Sequence, residues 1–173
     1  IYLMGRQIGQ QCQRMGIHIN FAPVVDVNSN PKNPVIGMRS FGEDPDGVSS
    51  KASLYMKGLQ DEGVLASAKH FPGHGDTETD SHLTLPVLNR SRKEMRSVEL
   101  KPFEALIGEG VASVMVAHLS VPAFDKSKKR PASLSSRLVE KQLKQKMGFE
   151  GLIITDALDM KGVTSIVPSD EVA

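Results

Sequence analysis

The sequence predicts an α/β fold built on a parallel sheet, and three observations carry that prediction. Near-continuous apolar runs of strand length alternate with segments of helical periodicity, the pattern of strands covered on both faces. Capping residues and glycines mark the junctions between them. Chemistry-capable side chains also fall at matching places: Asp26, Lys69 with His70, His118 and Asp156 each end a predicted strand. That edge is where α/β folds, and (β/α)8 barrels above all, gather their sites.

The elements follow in order. Residues 3–16 read as a helix, with Leu3, Ile8, Cys12 and Met15 at roughly helical spacing as its apolar positions. INFAPVVDV (19–27) reads as a buried strand, followed by a Pro- and Gly-rich loop through Gly42. Residues 46–62 form the next predicted helix, with Val48, Leu54, Tyr55 and Leu59 as its apolar positions and Gly63 as its stop. VLASAKHF (64–71) is the second strand. Ser91 with Glu94 has the spacing of a capping box, opening a helix that runs to about Gly108 with Val98, Phe103, Ala105, Leu106 and Ile107 inward. VASVMVAH (111–118) is the third strand. Ser135 or Ser136 opens a helix ending at Gly148, and GLIITDAL (151–158) contains the fourth strand. Four strands do not close a barrel. The chain reads as a small open sheet or as about half of a larger domain, and its start inside a helix and polar end after Met160 favour the second.

Composition narrows the function classes. The 173 residues suffice for one domain, with 39% apolar residues and a net charge of +1. Lys and Arg form no long stripe, which argues against a nucleic-acid partner; KSKKR at 126–130, between Pro122 and Pro131, reads as an exposed loop. No apolar run has the length of a membrane span. Residue 1 is Ile, so the chain is expected to begin inside a longer gene product, with further domains possible in it. Compartment stays open between the cytoplasm and an exported or lipid-anchored location. The single Cys12 excludes an internal disulfide framework.

The most chemically loaded stretch is Lys69–His82, KHFPGHGDTETDSH, with three His, three acidic residues and two Gly directly after a buried strand. Histidine beside a carboxylate moves protons near neutral pH. Asp80 and His82 share one face of an extended segment, so Asp80 can orient the imidazole of His82. His74 and Asp76 have the same spacing but follow Pro72-Gly73, and shaping the bend is the simpler role for His74. Asp26 is either an Asx turn or an acceptor for substrate hydroxyls. Arg39 either pairs with Glu43 or Asp44 or clamps a polar substrate through its donor fork. Lys69 and His70 alternate in direction unless the strand bends at Phe71-Pro72. His70 and His118 can each be a buried structural histidine. Asp156 ends an apolar strand, where a carboxylate must be hydrogen-bonded, paired or reactive; in a cleft it can attack an electrophilic carbon.

A metal site competes with this reading. His70, His74, His82, Asp76, Asp80 and His118 exceed the ligand number zinc needs. Pro72 and Gly73 separate the first two of these histidines, and no HExxH element is present. Metal-dependent hydrolysis is therefore an alternative rather than the leading reading, and no cofactor is expected.

KHFPGHGDTETDSH, preceded by INFAPVVDV and followed by VMVAH and GLIITDALDMKGV, resembles the N-terminal barrel domain of glycoside hydrolase family 3, and within it the β-N-acetylhexosaminidase, NagZ-like branch. The likeness spans about residues 3–164. It implies a (β/α)8 TIM-type barrel of which residues 1–173 hold about four central βα units. It implies metal-free, retaining removal of terminal β-linked N-acetylglucosamine, with cell-wall fragments or related glycans as the carbohydrate partner. Asp156 in ITDAL matches the family nucleophile, His82 the general acid/base and Asp80 its dyad partner, in place of the usual second carboxylate. Asp26, Arg39, Lys69 and His70 match sugar-binding positions, and His118 lies at a matching strand end. Another β-glycosidase, a glycosyl-transferring member of the family, and an inactive sugar-binding remnant are the alternatives.

Overall fold

The computed structural model describes residues 1–79, 84–127 and 129–166. Four strands, β1 (Ile19–Asn20), β2 (Leu65–Phe71), β3 (Ser113–Val116) and β4 (Leu152–Thr155), pair in parallel in the order β1-β2-β3-β4. Helices α1 (Tyr2–Arg14), α2 (Pro45–Asp61), α3 (Arg92–Ser97) and α4 (Lys101–Gly108), 3-10 turns at Gly37–Arg39 and Ala132–Leu134, a π-helix at Arg137–Lys146 and a short α5 (Lys161–Thr164) complete the elements. Strand order that never reverses is the winding of a (β/α)8 barrel, whereas doubly wound sheets reverse at a switch point. The described residues form an arc of such a barrel.

Alternation assigns the two faces of the sheet. Ala66, Ala68, Val114 and Val116 point toward the helices and join Ala52, Met56, Leu59, Phe103, Leu106 and Leu143 in the core. Phe71 meets Phe103 edge-on, with ring centroids 5.3 Å apart. The opposite face carries Ser67 beside Ser113 and Lys69 beside Met115.

Several expectations need correction. The first strand is shorter than 19–27, because Pro23 has no N–H to give the ladder. Pairing then continues irregularly: Val25 N–H donates to Lys69 O at 2.7 Å and Lys69 N–H to Pro23 O at 3.1 Å. The expected helix 91–108 is two helices, with Pro102 in the first turn of the second, where its ring is tolerated but its missing N–H ends any helix running into it. The Ser91–Glu94 capping box is present in both directions. The apolar face expected for α1 is displaced: Leu3 and Met15 are exposed, and Gly5, Gly9 and Cys12 are buried. The reason is close helix packing. A Cβ on Gly5 would lie 2.4 Å from Tyr55 O, so α1 and α2 touch backbone to backbone. On α2, Leu54 is exposed, and Val48, Ala52, Tyr55, Met56 and Leu59 form the inner face.

Candidate active site

The C-terminal edge of the sheet opens into a cavity of about 240 Å³ lined by Phe21, Val35, Arg39, Lys69, His70, His74, Met115 and Asp156. Four places deliver its polar groups: the end of β2, the loop after it at His74, the end of β4 and the turn at Gly37–Arg39. A wider cleft of about 510 Å³, lined among others by Asn30, Asp76, Glu78, Thr84 and Asn89, has no strand-end group among the described residues of its lining.

Both Lys69 and His70 reach the smaller cavity, although neighbouring strand residues should diverge. Lys69 opposes Met115 while Phe71 opposes Val116, so His70 is an extra residue in β2 and the alternation breaks there. The Lys69–His70 peptide is cis, as are Ala22–Pro23 and Phe71–Pro72. Burial pushes the Lys69 ammonium below its ordinary value and Arg39 adds to this, while Asp156 and Asp26 pull the other way.

His70 is fixed on two sides. Its Nδ1 lies 2.6 Å from Asp26 Oδ2, and its Nε2 lies 3.4 Å from Arg39 Nη2. Guanidinium nitrogens only donate, so the ring proton belongs on Nδ1, donated to Asp26. Arg39 also donates to Val35 O at 3.1 Å. Asp26 itself is fully buried and lies under the cavity rather than in its lining. Its Oδ1 accepts from the backbone N–H of His70 at 3.3 Å and of His74 at 2.7 Å. Burial raises a carboxyl pKa, but here the contact with His70 and the His74 N–H outweigh burial and hold Asp26 below the usual range.

Asp156 lines the cavity at the end of β4. Its N–H donates to Val116 O at 2.9 Å, and its Oδ1 accepts from Ala157 N–H at 2.9 Å. His118 is buried outside the lining, with Nδ1 2.8 Å from Ser133 Oγ and Nε2 3.0 Å from Ala157 O. His74 is buried with Nδ1 2.6 Å from Thr77 Oγ1, its ring edge-on to His70, and desolvation pushes its pKa down. Its carbonyl accepts from Asn33 Nδ2 at 2.7 Å. Asp76 pairs with Arg90 at 2.7 Å, so it serves the bend. Asp80 and His82 lie outside the described residues. Among the described residues, no three His, Cys, Asp or Glu side chains group as metal ligands would.

Sequence reasoning missed Phe21, Val35 and Met115 in the lining, Ser133 behind His118, and Arg90 at the loop base. Apolar and hydroxyl residues of this kind carry no signal until the fold brings them to the site. No helix among the described residues is long and apolar enough to cross a membrane.

The profile of the family described as glycosyl hydrolase family 3 N terminal domain matches residues 1–173. A beta-hexosaminidase A from Pseudoalteromonas piscicida is 42% identical over 167 residues, covering 91% of this chain and 28% of that protein. The solved structure of a family 3 beta-N-acetylglucosaminidase from a Paenibacillus strain superposes with a TM-score of 0.93 at 43% identity, covering 95% of this chain and 31% of the other. NagZ from Neisseria gonorrhoeae superposes with a TM-score of 0.85 at 39% identity, covering 92% and 45%. The chain thus spans between about a quarter and a half of the length of these relatives.

Proposed function

This chain belongs to glycosyl hydrolase family 3, whose N-terminal-domain profile it matches along its length, and on that premise we propose that the protein carrying it is a retaining β-N-acetylhexosaminidase releasing terminal β-linked N-acetylglucosamine. One observation carries the reading: the Asp156 carboxylate ends its strand in a small polar cavity whose lining also holds Arg39, Lys69 and His70. A pyranose needs such a lining, with donors for its hydroxyls and one carboxylate able to reach the anomeric carbon. The relatives named beta-hexosaminidase and beta-N-acetylglucosaminidase support the choice of sugar.

In the proposed reaction Asp156 attacks the anomeric carbon as the glycosidic C–O bond breaks, and the departing oxygen takes a proton from His82. The product of this step is a glycosyl ester on Asp156. Neutral His82 then takes a proton from water, the water oxygen bonds to the anomeric carbon, and Asp156 leaves as carboxylate. Two inversions give net retention. Asp80 orients His82, whose ordinary pKa lies near operating pH. Lys69 and His70 hold ring hydroxyls, Arg39 binds at the mouth, and Asp26 acts on the sugar through the His70 ring it fixes. GlcNAc-containing cell-wall fragments are the proposed natural substrates.

The test is hydrolysis of an aryl β-N-acetylglucosaminide by the complete protein, with the anomer of the first-formed sugar read by NMR. β-Product is expected, and Asp156→Ala should lose at least about three orders of magnitude in kcat. First-formed α-product, or full activity in Asp156→Ala, would overturn the reading.

A further inference from the structure

His118 is completely buried at the end of β3, yet no part of it lines the cavity. Both ring nitrogens are engaged. Nε2 faces Ala157 O at 3.0 Å, and a carbonyl oxygen only accepts, so Nε2 carries the proton. Nδ1 then has a lone pair, which accepts from the Ser133 hydroxyl at 2.8 Å. A sugar hydroxyl could reach neither nitrogen without displacing Ser133 or Ala157.

The far end of this chain of contacts is the Asp156 carboxylate. Ala157 gives its carbonyl to His118 and its N–H to Asp156 Oδ1, 2.9 Å away. The Asp156 N–H is held by Val116, two residues before His118 on the same strand end. The Asp156 carboxylate is therefore held by the peptide before the Ala157 Cα, and His118 holds the peptide after it, so Ala157 is pinned from both sides.

We propose that His118 is a positioning residue for the nucleophile. Its Nε2–H fixes the Ala157 carbonyl and so the backbone of the residue whose N–H holds the Asp156 carboxylate toward the anomeric carbon, and Ser133 fixes the tautomer that allows this. Buried partners of this kind hold a reacting group in its productive pose, and losing one typically costs about 10–100-fold. The inference rests on the reading of Asp156 as nucleophile.

The test uses the complete protein and a slow fluorinated N-acetylglucosaminide that accumulates the glycosyl-enzyme, with label on residue 156 followed by mass spectrometry. Gln places an amide N–H near the Nε2 position, whereas Asn places one near Nδ1. His118→Asn is expected to slow labelling about 10–100-fold, and His118→Gln to recover most of that loss. The dissociation constant of a competitive N-acetylglucosamine analogue should stay within about twofold in both, at matching melting temperatures. Ser133→Ala should slow labelling without weakening the analogue. A dissociation constant rising in step with the rate loss would make His118 a sugar contact and sink the proposal. So would equal rates for the Gln and Asn variants, or unchanged labelling in Ser133→Ala where the His118 variants do not fold. Label on a residue other than Asp156 in the unsubstituted protein would instead overturn the nucleophile reading on which the inference stands.

Discussion

Asp26 Oδ2 lies 2.6 Å from His70 Nδ1, and this buried pair joins the end of the first strand segment to the base of the active-site loop. Asp26 Oδ1 accepts the His74 N–H as well, so one carboxylate fixes both a cavity imidazole and the turn after it. Asp26→Asn removes the charge and turns an amide N–H2 or a weaker acceptor toward the ring. With His70 neutral, losing hydrogen bonds to a buried carboxylate costs about 1.5–3 kcal/mol, so a clear drop in melting temperature is expected, with weaker sugar binding through a misplaced His70. The sign with pH is fixed by the lowered pKa. A carboxylate depressed in the folded state adds stability above its unfolded value of about 3.9, and that stability is lost as pH falls through the folded value. The unsubstituted protein should therefore lose stability steeply below about pH 4, and Asp26→Asn should flatten that limb in melts taken across acid pH.

Arg90 closes the opposite end of the same loop. Its Nε donates to Asp76 at 2.7 Å and its Nη2 to Ser29 Oγ at 2.9 Å. Its Nε also lies 2.9 Å from Glu99 Oε1, but the single Nε–H is spent on Asp76, and neither oxygen of Glu99 has a hydrogen bond among the described residues. Glu99 is 1% exposed. Desolvation lifts its carboxyl to about 7 despite the neighbouring guanidinium. A carboxyl with a raised folded pKa favours the folded state while protonated, so this contribution is lost as pH climbs from about 4.5 to about 7. Glu99→Gln should remove that slope and gain most, relative to the parent, above pH 7. Melting temperatures from pH 5 to 8 decide it; parallel curves for parent and variant would contradict the assignment.

Arg90→Ala should act differently, because Asp76 and Arg90 tie together the two ends of the segment that contains Asp80 and His82. If His82 protonates the leaving group, loosening its tether hurts substrates that need protonation most. Arg90→Ala and His82→Ala should both lower kcat/KM strongly for an alkyl or sugar leaving group and far less for an activated aryl one. General acid catalysis supplies about 10²–10⁴-fold, which bounds the His82→Ala effect on the poor leaving group. Equal losses on both substrates would remove His82 from the role of acid.

How much of this was legible in the sequence depends on whether local pattern or tertiary contact decides the residue. Periodicity and caps placed the four strands and the Ser91 helix start, because those signals are local. The break at Pro102 was missed because the apolar face continues across it from Met95 to Phe103. The convergence of Lys69 and His70 was hidden, since it depends on an extra residue in β2 against β3 that no period of two reveals. Asp26 and His118 have the residue types of ligands and the positions of ligands, and their protein contacts, with His70 and His74 for the first and with Ser133 and Ala157 for the second, carry no signal in the sequence. The α1 face was misread because Gly5 and Gly9 look like weak points in a helix, when they are the places where α2 comes nearest.

Gly75 gives the sharpest steric test of how the loop is seated. A Cβ there would lie 1.7 Å from Val27 O and 2.5 Å from Val27 C, one residue beyond Asp26. Both are backbone atoms, so no rotamer change relieves the clash. Gly75→Ala must lift the loop off the strand end, pulling on the His74 N–H bond to Asp26 as it does so. Overpacking of this kind costs about 1–3 kcal/mol and sometimes more. Gly108 is the matched control. It lies in α4, exposed, with nothing within 4 Å of the added carbon, so Gly108→Ala should be neutral or stabilise by up to about 1 kcal/mol through helix propensity. A lower melting temperature and reduced kcat are expected for Gly75→Ala, with neither in Gly108→Ala. Normal stability in Gly75→Ala would mean that the loop does not rest on Val27.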